Sequence, residues 1–138
     1  MQYPAKFEEA EEGGYVVTFR DIPEAVTQGD TEDEAMEMAE DVLISSMDFY
    51  FDDRRTVPLP SKPLKGERLV ELPLSIAAKV LLLNEIIKAG ISNAELARRL
   101  HTRPQDVQRI VTLRHATKID TLDEAVQALG KRFEIRLV

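Results

Sequence analysis

Seven carboxylates crowd the fifteen residues Thr27–Asp41, TQGDTEDEAMEMAED: Asp30, Glu32, Asp33, Glu34, Glu37, Glu40 and Asp41. Clustered acids are what a phosphoryl-transfer centre uses to hold Mg²⁺, so the first chemistry to consider is metal-dependent nucleic-acid cleavage. A helix alone makes a poor cage, because residues at i, i+3 and i+4 share a face without converging on one ion. The acids that neighbouring strands would add, Glu8, Asp21 and Glu24, fall mostly at turns, and no histidine stands near them as a general base. With no cysteine and only His101 and His115, thiolate chemistry is excluded and no Ser, His and acid set with a nucleophile turn is present. The sequence therefore predicts no catalytic residue, no metal site and no cofactor. What the acids do supply is a field that attracts a basic partner and competes with nucleic acid for it.

The second constellation is basic and lies at Ile91–Ile110, ISNAELARRLHTRPQDVQRI. Ser92 can cap a helix carrying Leu96, Ala97 and Leu100; a short break follows, then a helix that buries Val107 and Ile110. A small residue at Ala97 suits two helices that cross closely, and the spacing of these five residues is that of a helix-turn-helix. The second helix of such a unit enters the DNA major groove with its early exposed positions on base edges. Here those are Arg103, Gln105, Asp106, Gln108 and Arg109. Arg reads guanine bidentately and Gln reads adenine, while Arg98, Arg99, Arg114, His115 and Lys118 are placed for phosphates. His101 stands where this turn usually has Gly, which predicts a left-handed backbone there or a cap on the preceding helix. Pro104 falls in the first turn of its helix, where proline is tolerated.

Those residues need two different scaffolds, and the charge distribution agrees. Met1–Ser61 carries 4 basic against 16 acidic residues, whereas Gly90–Val138 carries 9 against 6. A chain of 138 residues, 43% hydrophobic and 31% charged, folds without disulfide or metal. The N-terminus is acidic where a signal peptide is basic, and the longest apolar run, Val80–Leu83, is too short for a bilayer, so a cytoplasmic protein with no membrane contact is expected.

Tyr3, Ala5, Phe7 and Tyr15, Val17, Phe19 alternate with polar residues around the turn Ala10–Gly14, predicting a hairpin, with Ala25–Gln28 as a third strand. Thr31 and Glu34 form a capping box that starts a helix, with Ala35, Met38, Ala39, Val42 and Phe49 as its buried stripe and its acids outward. Pro58, Pro60 and Pro63 break regular structure before a last strand at Arg68–Leu72. A helix from the cap Ser75 to Ala89, stopped by Gly90, then leads into helices at about Asn93–Leu100, Pro104–Leu113 and Leu122–Leu129, the last started by Thr121 and Glu124. The chain ends in Arg132–Val138, RFEIRLV, which alternates as a strand and needs a partner, either the first module's sheet or the same strand of a second chain. The expected class is α+β: a ββ(β)αβ module over residues 1–73 and an all-helical helix-turn-helix domain with a C-terminal strand over residues 74–138.

Gly13–Asp41 then resembles the HicB antitoxin family. Its Gly-Gly-aromatic strand, Asp-x-Pro turn, Gly-Asp/Glu-Thr helix start and Glu-Ala step stand here as Gly13-Gly14-Tyr15, Asp21-Ile22-Pro23, Gly29-Asp30-Thr31 and Glu34-Ala35. With Ile91–Ile110 the resemblance covers nearly the whole chain and indicates the longer form with a C-terminal helix-turn-helix. Many members have Pro before the Asp and Gly after the second Pro; here Arg20 and Glu24 add charge at a possible contact. The resemblance implies a partial ribonuclease H-like module without nuclease activity that inhibits a small basic mRNA-cleaving toxin, HicA. It also implies a second domain that binds and represses the operon's own promoter. On this reading Asp21, Glu24, Asp30, Glu37 and Glu40 are the candidate toxin contacts. A homodimer or higher homo-oligomer is expected, since helix-turn-helix proteins pair to read half-sites. The alternative is a helix-turn-helix regulator whose acidic module senses a ligand or metal, with no toxin involved.

Overall fold

The computed structural model describes residues 1–138. By backbone contacts the chain divides into two compact units, Met1–Tyr50 with Val57–Leu74, and Phe51–Thr56 with Ser75–Val138. Four antiparallel strands and five helices make it an α+β protein. None of its helices is long and apolar enough to cross a membrane.

The first unit starts with β1 (Gln2–Glu9), β2 (Tyr15–Thr18) and β3 (Val26–Gly29), continues with α1 (Glu32–Asp53), whose last three residues count with the second unit, and closes with β4 (Arg68–Glu71). The sheet order is β3-β2-β1-β4. Alternation set the register: Phe7 faces Val17 and Tyr3 faces Val70, which puts the apolar residues of three strands on one side. The β1–β2 turn closes with Gly13 and Gly14 at φ of 93° and 76°, backbone that L side chains rarely adopt. Thr31 caps α1 as expected, its Oγ1 accepting from the Glu34 N–H at 3.1 Å while Glu34 Oε2 accepts from the Asp30 N–H at 3.1 Å. The Pro-rich segment is irregular yet pinned to its own unit. Tyr3 Oη donates to Pro58 O at 2.7 Å, and the Ser61 N–H and hydroxyl donate to Asp21 at 2.8 and 2.6 Å.

Two expectations about α1 divide. Ala35 and Ala39 are fully buried, but Leu43, Met47 and Tyr50 complete the stripe, while Met38 is 40% and Phe49 56% exposed. Gly29 explains the rotation. A Cβ built there would lie 2.4 Å from the Ala35 nitrogen, so the first turn of α1 sits directly on the end of β3. Once Ala35 is set down there, residues at i+4 and i+8 follow it inward, and Met38 and Phe49 are carried to the side.

The second unit packs α2 (Leu74–Ala89), α3 (Asn93–Arg99), α4 (Pro104–Ile110) and α5 (Ile119–Gln127) around Ala78, Leu82, Ile86, Leu96, Ala97, Val107, Ile110, Leu122, Ala125 and Val126. α2 begins one residue before Ser75, and α4 ends three residues before Leu113. α5 starts at Ile119, because the Thr121 and Leu122 N–H groups already donate to Lys118 O; the Thr121 and Glu124 pattern lies inside it. The expected C-terminal strand is corrected: residues 131–138 form none. A strand exists only as part of a ladder, and no other segment of this unit is extended to supply one.

The close approach at Gly29 generates a test. Gly29→Ala adds a Cβ against backbone rather than against a flexible side chain, so it should lower stability by about 1–3 kcal/mol in urea unfolding. Gly66→Ala, with nothing within 4 Å of the added carbon, should lose only the cost of its positive φ, about 1 kcal/mol. Equal losses at the two positions would contradict the packing account.

Candidate functional site

The acidic site is one flank of α1. Asp30, Glu37 and Glu40 are exposed. Asp21 and Glu24 are engaged inside the unit: Asp21 accepts from Ser61, and Glu24 Oε1 accepts from the Tyr50 hydroxyl at 2.6 Å. Arg20 is tied as well, its guanidinium forking onto both carboxylate oxygens of Glu67 at 3.1–3.2 Å and donating to Lys62 O at 2.5 Å. The Arg20 guanidinium, helped by the Leu64 N–H, holds the Glu67 carboxyl below the usual range. The charges at positions 20 and 24 thus anchor the loops around the turn. A feature that the sequence reading missed lies beside the acids. Met38, Val42 and Phe49 fall at helical spacing along α1 as a partly exposed apolar stripe, flanked by Glu34, Glu37, Asp41 and Asp48. The clue was the surplus of apolar residues in α1, more than one buried stripe can hold.

The basic site is built on α3 and α4. Ser92 Oγ accepts from the Glu95 N–H at 3.1 Å and starts α3, as expected. The turn that follows is closed by His101 N–H to Arg98 O at 3.3 Å and Thr102 N–H to Ala97 O at 2.9 Å, with His101 at φ 55°. This is a Schellman closure with histidine in the left-handed position that favours glycine. Ala97, 2% exposed, and Leu96, Val107 and Ile110 are buried between the helices.

That packing turns Arg103, Gln105, Gln108 and Arg109 outward on α4, with Arg114 and Lys118 exposed beyond it. Asp106 is drawn inward. Its carboxylate accepts from the Thr102 hydroxyl at 2.6 Å and lies near Arg103 and Arg109, and the Thr102 bond first, then Arg103, pulls its pKa down to about 2. Among the seven named basic-site positions of the second helix and its sequel, Asp106 is the one that is drawn onto its neighbours. Gln108 Oε1 accepts from Asn93 at 3.0 Å, and Asn93 in turn accepts from Arg54 at 2.8 Å. Arg98 and Arg99 both pair with Glu95.

The buried cation Lys79 was not anticipated. It sits in the apolar run of α2, 3% exposed, and its Nζ donates to Thr112 O and His115 O at 2.6 Å and to Arg109 O at 3.3 Å. It therefore gathers carbonyls at and just beyond the C-terminal end of α4, where a cation also meets the negative end of the helix dipole. Burial lowers its pKa from 10.5 to about 8. No three His, Asp or Glu side chains gather as a metal donor set.

An acidic sheet-and-helix unit and a basic helix pair are joined in one short α+β chain. The profile of the family described as HicB-like antitoxin of bacterial toxin-antitoxin system matches residues 2–81. Antitoxin HicB 2 of Photorhabdus laumondii subsp. laumondii is 59% identical over 98% of this chain and 95% of its own length. Antitoxin HicB of Escherichia coli (strain K12) is 49% identical over the full length of both. Antitoxin HicB of Pseudomonas fluorescens (strain Pf0-1) is 37% identical over 88% of this chain and 84% of its own. The chain belongs to the HicB antitoxin family.

Lys79→Met keeps the apolar stem and removes the donor from three carbonyls, two of them at 2.6 Å. It should cost about 2 kcal/mol of unfolding free energy at pH 7. The folded pKa lies below the unfolded one, so the unfolded chain binds more protons between pH 8 and 10.5. The parent should therefore gain stability across that window relative to Lys79→Met. A constant difference between the two would show that the amine does not titrate in the fold.

Proposed function

We propose that this chain is the antitoxin of a type II toxin–antitoxin pair in the cytoplasm. Residues 1–73 bind and inhibit a HicA-like mRNA-cleaving toxin. Residues 74–138 form a helix-turn-helix domain that dimerises, binds the operon's promoter and represses it. The observation that carries this reading is the full-length relation to proteins named Antitoxin HicB, which spans both units at 49% identity.

For the toxin, the geometry supports α1 as the meeting surface. Exposed Phe49 and Met38 supply apolar anchors of the kind that dominate binding energy, and the flanking acids complement a basic partner and speed its approach. Asp30, Glu37 and Glu40 are rim charges in this scheme, while Asp21 and Glu24 act by holding the loops. For DNA, α4 is the recognition helix: Arg103, Gln105, Gln108 and Arg109 address bases, and Arg114 and Lys118 address phosphates. Asp106 stiffens the helix start.

The neighbouring reading frame should encode a small, very basic protein, and co-expression of this chain should rescue growth from it. Phe49→Asp should weaken that complex by about 2 kcal/mol or more, roughly thirtyfold in Kd, with operator binding unchanged. Arg103→Ala or Gln108→Ala should each cost about 1–3 kcal/mol of operator discrimination and leave toxin inhibition intact. No rescue and no complex would remove the antitoxin reading in favour of a ligand-sensing regulator. Variants of Arg103 and Gln108 that bind operator like the parent would remove the recognition-helix assignment.

A further inference from the structure

Arg54, the residue directly after α1, stands at φ 50°, a left-handed conformation that glycine takes freely and that costs any other residue. Keeping a side chain there points to something that the side chain holds. Arg54 and the residues it meets all belong to the second unit. Its guanidinium grips the start of α3: Nη1 donates to Asn93 Oδ1 at 2.8 Å and Nη2 to Ile91 O at 3.3 Å. Asn93, the first residue of α3, then donates from Nδ2 to Gln108 Oε1 on α4 at 3.0 Å.

The chemistry of the three groups fixes the direction of this relay. A guanidinium carries only donors, so the oxygen of the Asn93 amide must face Arg54. The Asn93 NH2 is then left for α4, and of the two ends of the Gln108 amide only the oxygen can receive it. The Gln108 NH2 becomes the end of the amide that is free of the relay. A glutamine amide without such a partner turns over at little cost and offers a donor or an acceptor alike. A polar side chain that has to select one base needs its own orientation held by further hydrogen bonds.

We infer that Arg54 and Asn93 are positioning residues for base readout: together they set which end of the Gln108 amide meets the DNA, and so which base Gln108 selects. Neither residue touches the base itself. The inference rests on the reading of α4 as the recognition helix and adds to it an arginine from outside the helix pair.

Binding of the full chain to promoter DNA in which each base pair is varied in turn tests the relay. Gln108→Ala marks the base pair that Gln108 reads, as the position where discrimination falls. At that base pair Arg54→Gly and Asn93→Ala should each lose roughly fivefold of discrimination, and neither should lose more when combined with Gln108→Ala. Arg54→Gly also relieves the left-handed backbone, so it should unfold at the urea concentration of the parent or higher; an arginine with a merely structural role would not give lost discrimination at intact stability. Asn93→Asp keeps an acceptor for Arg54 but sets a carboxylate against the Gln108 oxygen, so the amide turns over and the preferred base at that position should change. If Gln108→Ala loses discrimination nowhere, the recognition-helix reading and the relay fall together. If it loses discrimination while Arg54→Gly and Asn93→Ala discriminate like the parent, the reading stands and the relay is overturned. If Arg54→Gly weakens binding equally to every sequence and lowers the salt slope, Arg54 is a phosphate contact, which also overturns the relay.

Discussion

The first unit depends on one missing side chain. Because Gly29 has no Cβ, the first turn of α1 can lie against the end of β3, with Ala35 in contact where any larger residue at 29 would strike backbone. That contact, and the Thr31 and Glu34 cap beside it, set both the start and the rotation of a long helix. Rotation then decides what solvent and partners meet. Ala35, Ala39, Leu43, Met47 and Tyr50 go inward, each large apolar group contributing about 1.5–3 kcal/mol by burial. The acids and the Met38–Phe49 stripe go outward. The Gly-Asp-Thr and Glu-Ala steps of the family pattern are thus packing and capping devices. The residues that they aim outward are the ones proposed to bind.

The second unit solves a different problem with polar clamps. Two short helices too small to be stable alone are fixed by a buried ammonium under the end of α4, a carboxylate at its start and a tight turn between them. Lys79 gathers the carbonyls of Thr112 and His115 under the turn that follows α4, and Asp106 ties Thr102 to the helix it introduces. Holding α4 at both ends leaves its outward side chains on a rigid support, which suits residues that must meet a partner at fixed spacing.

Much of this was legible in the sequence because it is local. Period-two alternation gave the hairpin and the strands, Thr31 and Ser92 announced their helices, and Gly90 ended its own. The small Ala97 between Leu96 and Leu100 pointed to the close helix pair, and His101 stands in the left-handed conformation expected of it. The remainder depends on contacts far apart in sequence. The roles of Asp21, Glu24 and Asp106 were hidden because a carboxylate with a partner and one without look alike in a sequence. The choice between Val42 and Leu43 as inward residues was set by Gly29, outside the helix. Lys79 interrupts an apolar run, a visible anomaly whose meaning depends on carbonyls some thirty residues on. The strand predicted at Arg132–Val138 failed as a property of one chain, since a ladder requires two edges.

The central claim is that two surfaces on one chain serve two partners. Hydrogen–deuterium exchange on the full chain tests it most directly, comparing the free protein with its complexes with the neighbouring gene's product and with promoter DNA. The account predicts added protection over Glu32–Asp53 with the protein partner and over Arg103–Lys118 with DNA, each largely confined to its own segment. Protection of Arg103–Lys118 by the protein partner, with Glu32–Asp53 unchanged, would contradict it.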